Sequence, residues 1–188
     1  MKNIIQIGAN RGSDDLSELI GESQPNLLVL VEPMIIHNET LKDHYKWVNN
    51  LHIENIIITI GESCDLDFFY HLDDGPGFEV ATVDINHIIK HYGHNSIDRI
   101  VKTKIKALNI NELFQNYDLK ELDILFIDAE GIDDEIIKSI DFSKIEIQNI
   151  YFENLHIKDH NIYKYLSDLG YDIIHRIGSN GWSSLAKK

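Results

Sequence analysis

Short apolar runs alternate with longer segments of helical period along the chain. This alternation is typical of strands joined by crossover helices, which assemble into a mostly parallel sheet. The run 27–31 is apolar at every position, as expected for a strand buried in the middle of such a sheet. We therefore predict a Rossmann-like α/β fold, with a mostly parallel sheet, helices on both faces and an antiparallel C-terminal edge hairpin.

The same pattern gives the order of the predicted elements. Strands are predicted at 3–7, 27–31, 53–60, 101–107, 122–127 and 149–153, and the hairpin strands at 171–177 and 182–185. Helices are predicted from Ser13 to near Gly21 and at 41–48, 85–91, 110–117, 133–140 and 160–169. Lysines at alternate positions of 101–107 favour an edge or solvent-facing strand. The period weakens over 65–83, which we interpret as a loop or hairpin excursion.

Composition narrows the class of protein. With 188 residues, 43% hydrophobic and 26% charged, the chain is expected to fold as one domain over residues 1–188. The formal net charge of −14, without a cluster of lysine or arginine, argues against nucleic acid and anionic membranes as partners. No apolar run approaches the roughly 20 residues that span a bilayer, and the N-terminal stretch is too short for a signal peptide. Since Cys64 is the only cysteine, we expect a cytoplasmic protein without an internal disulfide.

A glycine turn between the first strand and the first helix is the first candidate site. Glycine at Gly8 and Gly12 lets the backbone approach a ligand while its free N–H groups point at it. Dinucleotide sites use the pattern G-x-G-x-x-G, but here Asn10 and Ser13 stand at the second and third glycine positions. S-adenosylmethionine has no pyrophosphate to admit, so the turn favours this cofactor over NAD.

Carboxylates follow at two further strand ends. Glu32 lies twenty residues after Gly12, at the end of the second strand, where an acid accepts hydrogen bonds from both ribose hydroxyls. The ligand crevice of such a sheet opens where the strand order reverses, and Gly8 and Asp128 mark the two strand ends at that point. Glu62 and Ser63, just past the third strand, are predicted to face the adenine edge.

These motifs together resemble those of the FkbM-type methyltransferases. The matching segments are Ile7-Gly8-Ala9-Asn10-Arg11-Gly12, Val31-Glu32-Pro33, the run from Asp123 to Gly131, and Tyr151-Phe152-Glu153 followed by Leu169-Gly170-Tyr171. They occur in the family's order over nearly the whole chain, and Ile-Asp-x-Glu-Gly at 127–131 is the most specific of them. The chain departs from the family at Gln6, where an acid is usual, at Phe126, where lysine is common, and at Ile132-Asp133, where a small residue and glutamate are usual.

The resemblance implies an S-adenosylmethionine-dependent enzyme that methylates a hydroxyl, often on a sugar or glycan or on a polyketide-type product. The acceptor is accordingly predicted to be a small molecule or a glycan. The predicted cofactor contacts, from the residues and the resemblance together, are Gln6, Gly8, Ala9, Asn10, Gly12, Glu32, Pro33, Glu62, Ser63 and Asp128.

Methyl transfer is an in-line displacement, so it needs a positioned acceptor and a base for the acceptor's proton. Asp128 or Glu130 is the predicted base or orienting group, and Glu153 and His156 are second choices. The alternative role for Asp128 is to cap the helix that follows. A noncatalytic S-adenosylmethionine-binding module and an NAD-linked oxidoreductase are the alternative functions. No metal site is predicted, because the apolar face of 85–91 leaves its histidines on the solvent side.

Overall fold

The computed structural model describes residues 2–12, 16, 20, 24–129, 131–154, 157, 161–177 and 181–188. Its strands are β1 Asn3–Ile7, β2 Leu27–Val31, β3 Leu51–Glu54, β4 Ile57–Thr59, β5 Cys64–His71, β6 Ile100–Asn109, β7 Glu121–Ile127, β8 Glu146–Glu153, β9 Asp172–Ile177 and β10 Ser183–Lys187. The helices that are described from end to end are α1 Asn38–His44, α2 Ile85–Tyr92, α3 Ile110–Asn116, α4 Asp133–Ser139 and α5 Asn161–Asp168. Short 3-10 turns cover Ile35–His37, Gly75–Gly77 and His94–Arg99.

A seven-stranded sheet forms the centre of the fold, in the order β3-β2-β1-β7-β8-β10-β9. β3, β2, β1, β7 and β8 are parallel, whereas β10 runs antiparallel to both β8 and β9. The strand order reverses between β1 and β7, where Ile7 is paired with Ile127. The predicted Rossmann-like α/β fold is thereby confirmed.

Both faces of this sheet are buried, because successive side chains of a strand point to opposite faces. On one face, Ile5 and Val29 pack into a cluster with apolar residues of α3, α4 and α5. On the other face, Ile4 packs with Leu41 of α1 and with Leu16, which is helical and fully buried. The expected helices on both faces are therefore present. Ser13 and Gly21, the predicted ends of the first helix, lie outside the described residues.

The single strand predicted at 53–60 is wrong. The chain instead forms β3 in the large sheet and β4 in a second sheet, with a break at Asn55 and Ile56. The Asn55 amide donates hydrogen bonds to the backbone oxygen of Glu32, at 2.8 Å, and to the Asn38 side chain, at 2.9 Å. These long-range bonds hold the chain where it leaves the sheet, and the unbroken apolar run 56–58 gives no local sign of them.

The second sheet has three strands in the order β4-β6-β5. β6 lies in its middle, and Lys102, Lys104 and Lys106 are exposed, so of the two expected alternatives, an edge strand or a solvent-facing strand, β6 is the second. The alternating lysines indicate only that one face of the strand is exposed to solvent. A strand with one exposed face can still be paired along both of its edges. The excursion predicted at 65–83 contains β5 and a turn around Gly75–Gly77.

The C-terminal strands β9 and β10 form the expected antiparallel hairpin at one edge of the large sheet. β10 is inserted between β8 and β9, so only β9 lies at the edge. Ala186 is fully buried, because β10 is paired on both sides. Across the described residues, no helix combines the length and the apolar character needed to cross a bilayer.

Candidate active site

The turn after β1 is bound tightly to its neighbouring strands. The backbone N–H groups of Gly8 and Ala9 both donate to the Val31 carbonyl, at 3.0 and 3.1 Å. Gly8 has φ +78°, and a Cβ on it would lie 1.9 Å from the backbone oxygen of Asp128. Asn10 also has a positive φ, of 43°. Glycine is required at position 8 by both its backbone conformation and the close approach of the β7 end.

Glu32 at the end of β2 closes the same turn. Its Oε2 accepts the Asn10 backbone N–H at 2.7 Å, and its Oε1 accepts the Met34 backbone N–H at 2.7 Å. The side chain is only 6% exposed. Burial raises the pKa of Glu32 to about 7, and the two backbone hydrogen bonds partly oppose that rise. Glu32 is thus held in place by a backbone hydrogen bond to each of its carboxylate oxygens.

Gly8, Asn10, Glu32, Pro33 and Asp128 all line one cavity of about 550 Å³. Its floor is the turn after β1 together with the carboxyl ends of β1, β2 and β7. Its opposite wall is formed by β4, β5 and the segment 78–87. The two halves of the candidate site, predicted from separate motifs, therefore face a shared space.

The charge of this cavity is strongly acidic. The carboxylates in its wall belong to Glu32, Glu79, Asp84, Asp128 and Glu135. Neither lysine nor arginine occurs among its described lining residues. Such a wall favours a cationic ligand and opposes the two negative charges of a pyrophosphate. The electrostatics therefore match a sulfonium cofactor better than NAD.

Asp128 lies at the point where the strand order reverses. Its backbone N–H donates to the Ile7 carbonyl at 3.0 Å, which continues the β1–β7 pairing by one residue. The residue is exposed and reaches the cavity. Glu153, one of the two second choices for the base, ends β8 and does not line the cavity. Glu130 and His156 lie outside the described residues.

Three further predicted cofactor residues, Gln6, Ala9 and Gly12, do not line the cavity. Ala9 and Gly12 are buried, and a Cβ on Gly12 would lie 2.9 Å from the Tyr45 ring, so Gly12 is required for packing. Gln6 is 1% exposed on the sheet face that carries Ile4. None of these three lines the cavity, because the turn presents only Gly8 and Asn10 to it.

Glu62 and Ser63 also lie outside the cavity wall. The Ser63 hydroxyl accepts the backbone N–H of Asn109 at 3.1 Å, which ties it to the end of β6, and Glu62 is exposed. The segment 56–60 takes the wall position expected for them. The prediction was misplaced because β3 ends at Glu54, several residues before the end of the apolar run.

Asp133 is a further candidate for the functional site. In the sequence it differs from the residue usual in the family, and nothing else there marks it as functional. It is 2% exposed at the start of α4, and its Oδ2 accepts the Ala129 N–H at 3.4 Å while Oδ1 accepts the Glu153 N–H at 3.3 Å. Burial, and then the negative charge of Asp128, raises the pKa of Asp133 to about 7. One carboxyl group therefore joins the ends of β7 and β8.

We expect Asp133→Asn to flatten the pH dependence of stability. A carboxyl whose folded pKa lies above its ordinary value of 3.8 stabilises the fold fully below pH 4, and this contribution is lost as pH rises through about 7. Urea unfolding should show that the fall in stability between pH 5 and pH 8 is about 2 kcal/mol smaller in the variant than in the wild type, where Glu32 contributes a fall of its own.

Asp141→Asn is the matched control for this measurement. Hydrogen bonds from Ser143 and Lys144 lower the pKa of Asp141, so its protonation lies below the tested range and the slope between pH 5 and pH 8 should not change. An unaltered slope in Asp133→Asn would contradict the assignment.

Within the described ranges, no group of three or more histidine, cysteine, aspartate or glutamate side chains is placed to hold a metal ion. His87 of α2 lines the cavity, whereas the Tyr92 hydroxyl donates to Asp74 at 2.7 Å and does not reach it. α2 therefore contributes to the site through His87.

The sequence profile of the Methyltransferase FkbM domain matches residues 6–173. The chain belongs to the FkbM methyltransferase family. This FkbM protein is an S-adenosylmethionine-dependent methyltransferase, and S-adenosylmethionine is its cofactor. A search of curated protein sequences finds no relative.

Solved structures share the fold of this FkbM methyltransferase. A putative caffeoyl-CoA O-methyltransferase from Staphylococcus aureus is 14% identical with a TM-score of 0.50, over 100% of this chain and 76% of that one. The Methanococcus jannaschii fibrillarin pre-rRNA processing protein is also 14% identical with a TM-score of 0.50, over 99% of this chain and 66% of that one. At these identities the likeness concerns the fold alone.

Proposed function

We propose that this FkbM methyltransferase methylates a hydroxyl of a sugar, glycan or other small molecule. The observation that carries the proposal is that Asp128 reaches the same cavity as Gly8 and Glu32, at the point where the strand order reverses. In open α/β sheets this point is where ligands bind. A carboxylate there is suited to take a proton from an acceptor hydroxyl.

The residues of the cavity fit S-adenosylmethionine. We assign the ribose hydroxyls to the Glu32 carboxylate, which is already oriented by the N–H groups of Asn10 and Met34. The turn at Gly8 would hold the amino-acid end, and Pro33 with the apolar segment 56–58 would pack against the adenine. When bound, the cofactor supplies an electrophilic methyl group on a cationic sulfur, which the surrounding carboxylates favour.

Asp128 is assigned as the base. It would accept the proton of the acceptor hydroxyl, which would make that oxygen nucleophilic toward the methyl group that the bound cofactor supplies. Phe68 and Phe78, from the opposite wall, place apolar surface against this space and limit the access of water. Asp133 acts as a positioning residue, because it joins Ala129, next to Asp128, to the end of β8.

We further propose which acceptors are excluded, where the enzyme is located and how its chain is organised into domains. The net charge of −14 and the acidic cavity oppose nucleic acid as the acceptor. A cytoplasmic location is consistent with the single cysteine, Cys64. We also retain one catalytic domain over residues 1–188, because the profile match extends from residue 6 to residue 173.

Asp128→Asn is expected to lower kcat by about 100- to 10,000-fold, the range that general bases contribute. Binding of S-adenosylhomocysteine, measured by calorimetry, should stay unchanged, because the assigned cofactor contacts are kept. The assay uses methyl-labelled S-adenosylmethionine with neutral sugars, uronic acids, phenols, amines and RNA as acceptors.

Glu153→Gln is the control, because Glu153 ends the neighbouring strand outside the cavity. Full activity of Asp128→Asn with a lowered melting temperature would assign Asp128 to helix capping instead. Transfer only to amines, carbon acids or RNA would overturn the proposed hydroxyl specificity.

A further inference from the structure

A second cavity, of about 700 Å³, opens beyond the carboxyl end of β8. Its described walls are Asn154, Tyr163, His175, Arg176, Gly181 and Trp182. The cavity begins one residue after Glu153, whose N–H is held by Asp133, and Asp133 also holds Ala129 in the wall of the first cavity. Both cavities therefore open at the carboxyl ends of neighbouring strands, β7 and β8.

Arg176 is the extra residue of a β-bulge in this cavity. β10 pairs Ser183 with Ile177 and Ser184 with His175, so Arg176 is passed over in the register. Its φ is +58°, a left-handed conformation that favours glycine. Bulges commonly redirect side chains next to binding sites, and strained backbone of this kind concentrates at functional positions.

The charge of Arg176 is not used within the described part of the fold. Arg176 is exposed, and its side chain makes neither a hydrogen bond nor an ion pair with any described residue. An unused guanidinium is notable in a chain with 31 acidic and 17 basic side chains. Guanidinium groups bind carboxylates in a bidentate manner, so an anion is the natural ligand for this cavity.

Aromatic and amide groups surround the arginine. Trp182 is 50% exposed, and its carbonyl accepts the Asn154 backbone N–H at 2.7 Å. The rings of Tyr163 and His175 pack edge to face, with centroids 4.6 Å apart. An exposed indole offers a flat apolar surface for the C–H face of a sugar ring, and a neighbouring amide can bind its hydroxyls.

We propose that this second cavity binds an anionic saccharide unit of the acceptor, with a uronic acid carboxylate on Arg176 and the sugar ring on Trp182. The proposal rests on the proposed function, in which the acceptor presents a hydroxyl to Asp128. The acidic first cavity would repel the carboxylate of such an acceptor. The carboxylate therefore has to lie outside that cavity, and Arg176 in the second cavity carries the opposite charge. The two cavities together select an acidic glycan in a defined orientation.

Tryptophan fluorescence tests the proposal independently of methyl transfer, with trigalacturonate as the probe and maltotriose as its neutral control. We expect a saturable change with trigalacturonate, at least tenfold weaker binding of maltotriose, and weakening with added salt. Trp182→Phe should lose the signal, since only Trp47 remains. Equal binding of both saccharides, or no saturable binding of trigalacturonate, would overturn the proposal.

Arg176→Gly separates binding from structure. It should weaken trigalacturonate binding at least tenfold while the melting temperature stays equal or rises, because glycine adopts a positive φ without strain. A purely structural arginine would show the reverse, a lower melting temperature with unchanged binding. Arg176→Lys keeps the charge and should retain part of the affinity. Saturable binding without methylation of any hydroxyl acceptor would overturn the proposed function, and with it the role of the saccharide as acceptor, but not the anionic saccharide site at Arg176 and Trp182.

Discussion

Glu32→Gln is expected to weaken S-adenosylmethionine binding by roughly 10- to 100-fold, as calorimetry can measure. A charge-assisted hydrogen bond contributes about 1.5–3 kcal/mol, and each 1.4 kcal/mol is tenfold in affinity. The carboxylate already accepts hydrogen bonds from the N–H groups of Asn10 and Met34. In the variant, the NH2 group of glutamine would face one of these N–H groups, and two donors cannot form a hydrogen bond. The variant therefore loses the ribose acceptor and disturbs the turn at the same time.

The pH dependence of binding gives a second measure of the same group. Burial raises the pKa of Glu32 to about 7, and hydrogen bonds from ribose hydroxyls favour the ionised form. Affinity in the wild type should therefore rise between pH 6 and pH 8, and Glu32→Gln should not show this rise.

Glu54→Gln is the matched control for Glu32→Gln. Glu54 ends the neighbouring strand β3, accepts a hydrogen bond from the Tyr117 hydroxyl, and does not line the cavity. Its replacement should leave cofactor affinity unchanged. Wild-type affinity in Glu32→Gln would remove Glu32 from the binding site.

Gly8→Ala should be the most destabilising single substitution in the turn, by about 3 kcal/mol or more. The new Cβ would lie 1.9 Å from the backbone oxygen of Asp128, so either the turn or the end of β7 has to move. β1 is a short strand that pairs with β2 on one side and β7 on the other. Displacing it would also disrupt the cofactor site. Urea unfolding measures the loss of stability, and calorimetry measures the loss of cofactor binding.

Gly170→Ala separates steric overlap from backbone strain. Gly170 has φ +89°, similar to that of Gly8, but a Cβ there would have no heavy atom within 4 Å. We expect a cost of about 1–2 kcal/mol, the value for a left-handed conformation alone. Equal losses in the two variants would show that the approach of Asp128 to Gly8 does not matter.

The spacing of motifs along the chain predicted which strand ends meet. Gly8, Glu32 and Asp128 each follow a buried apolar run, and the carboxyl ends of adjacent parallel strands lie at one edge of a sheet. Periodicity follows local burial closely, so the strands of the large sheet other than β3, and the helices α2, α3 and α4, were predicted within a few residues of their observed bounds. The helix predicted at 41–48 begins earlier, at Asn38, because the chain turns directly after β2.

The sequence by itself thus determined the α/β class, the glycine turn and the acids at the ends of β2 and β7, because each depends on residues close together along the chain. Tertiary structure alone decided the break at Asn55, the covering second sheet, the bridge made by Asp133 and the bulge at Arg176. Each of these depends on a partner more than a few residues away, and local patterns of polarity carry no information about which partner is chosen.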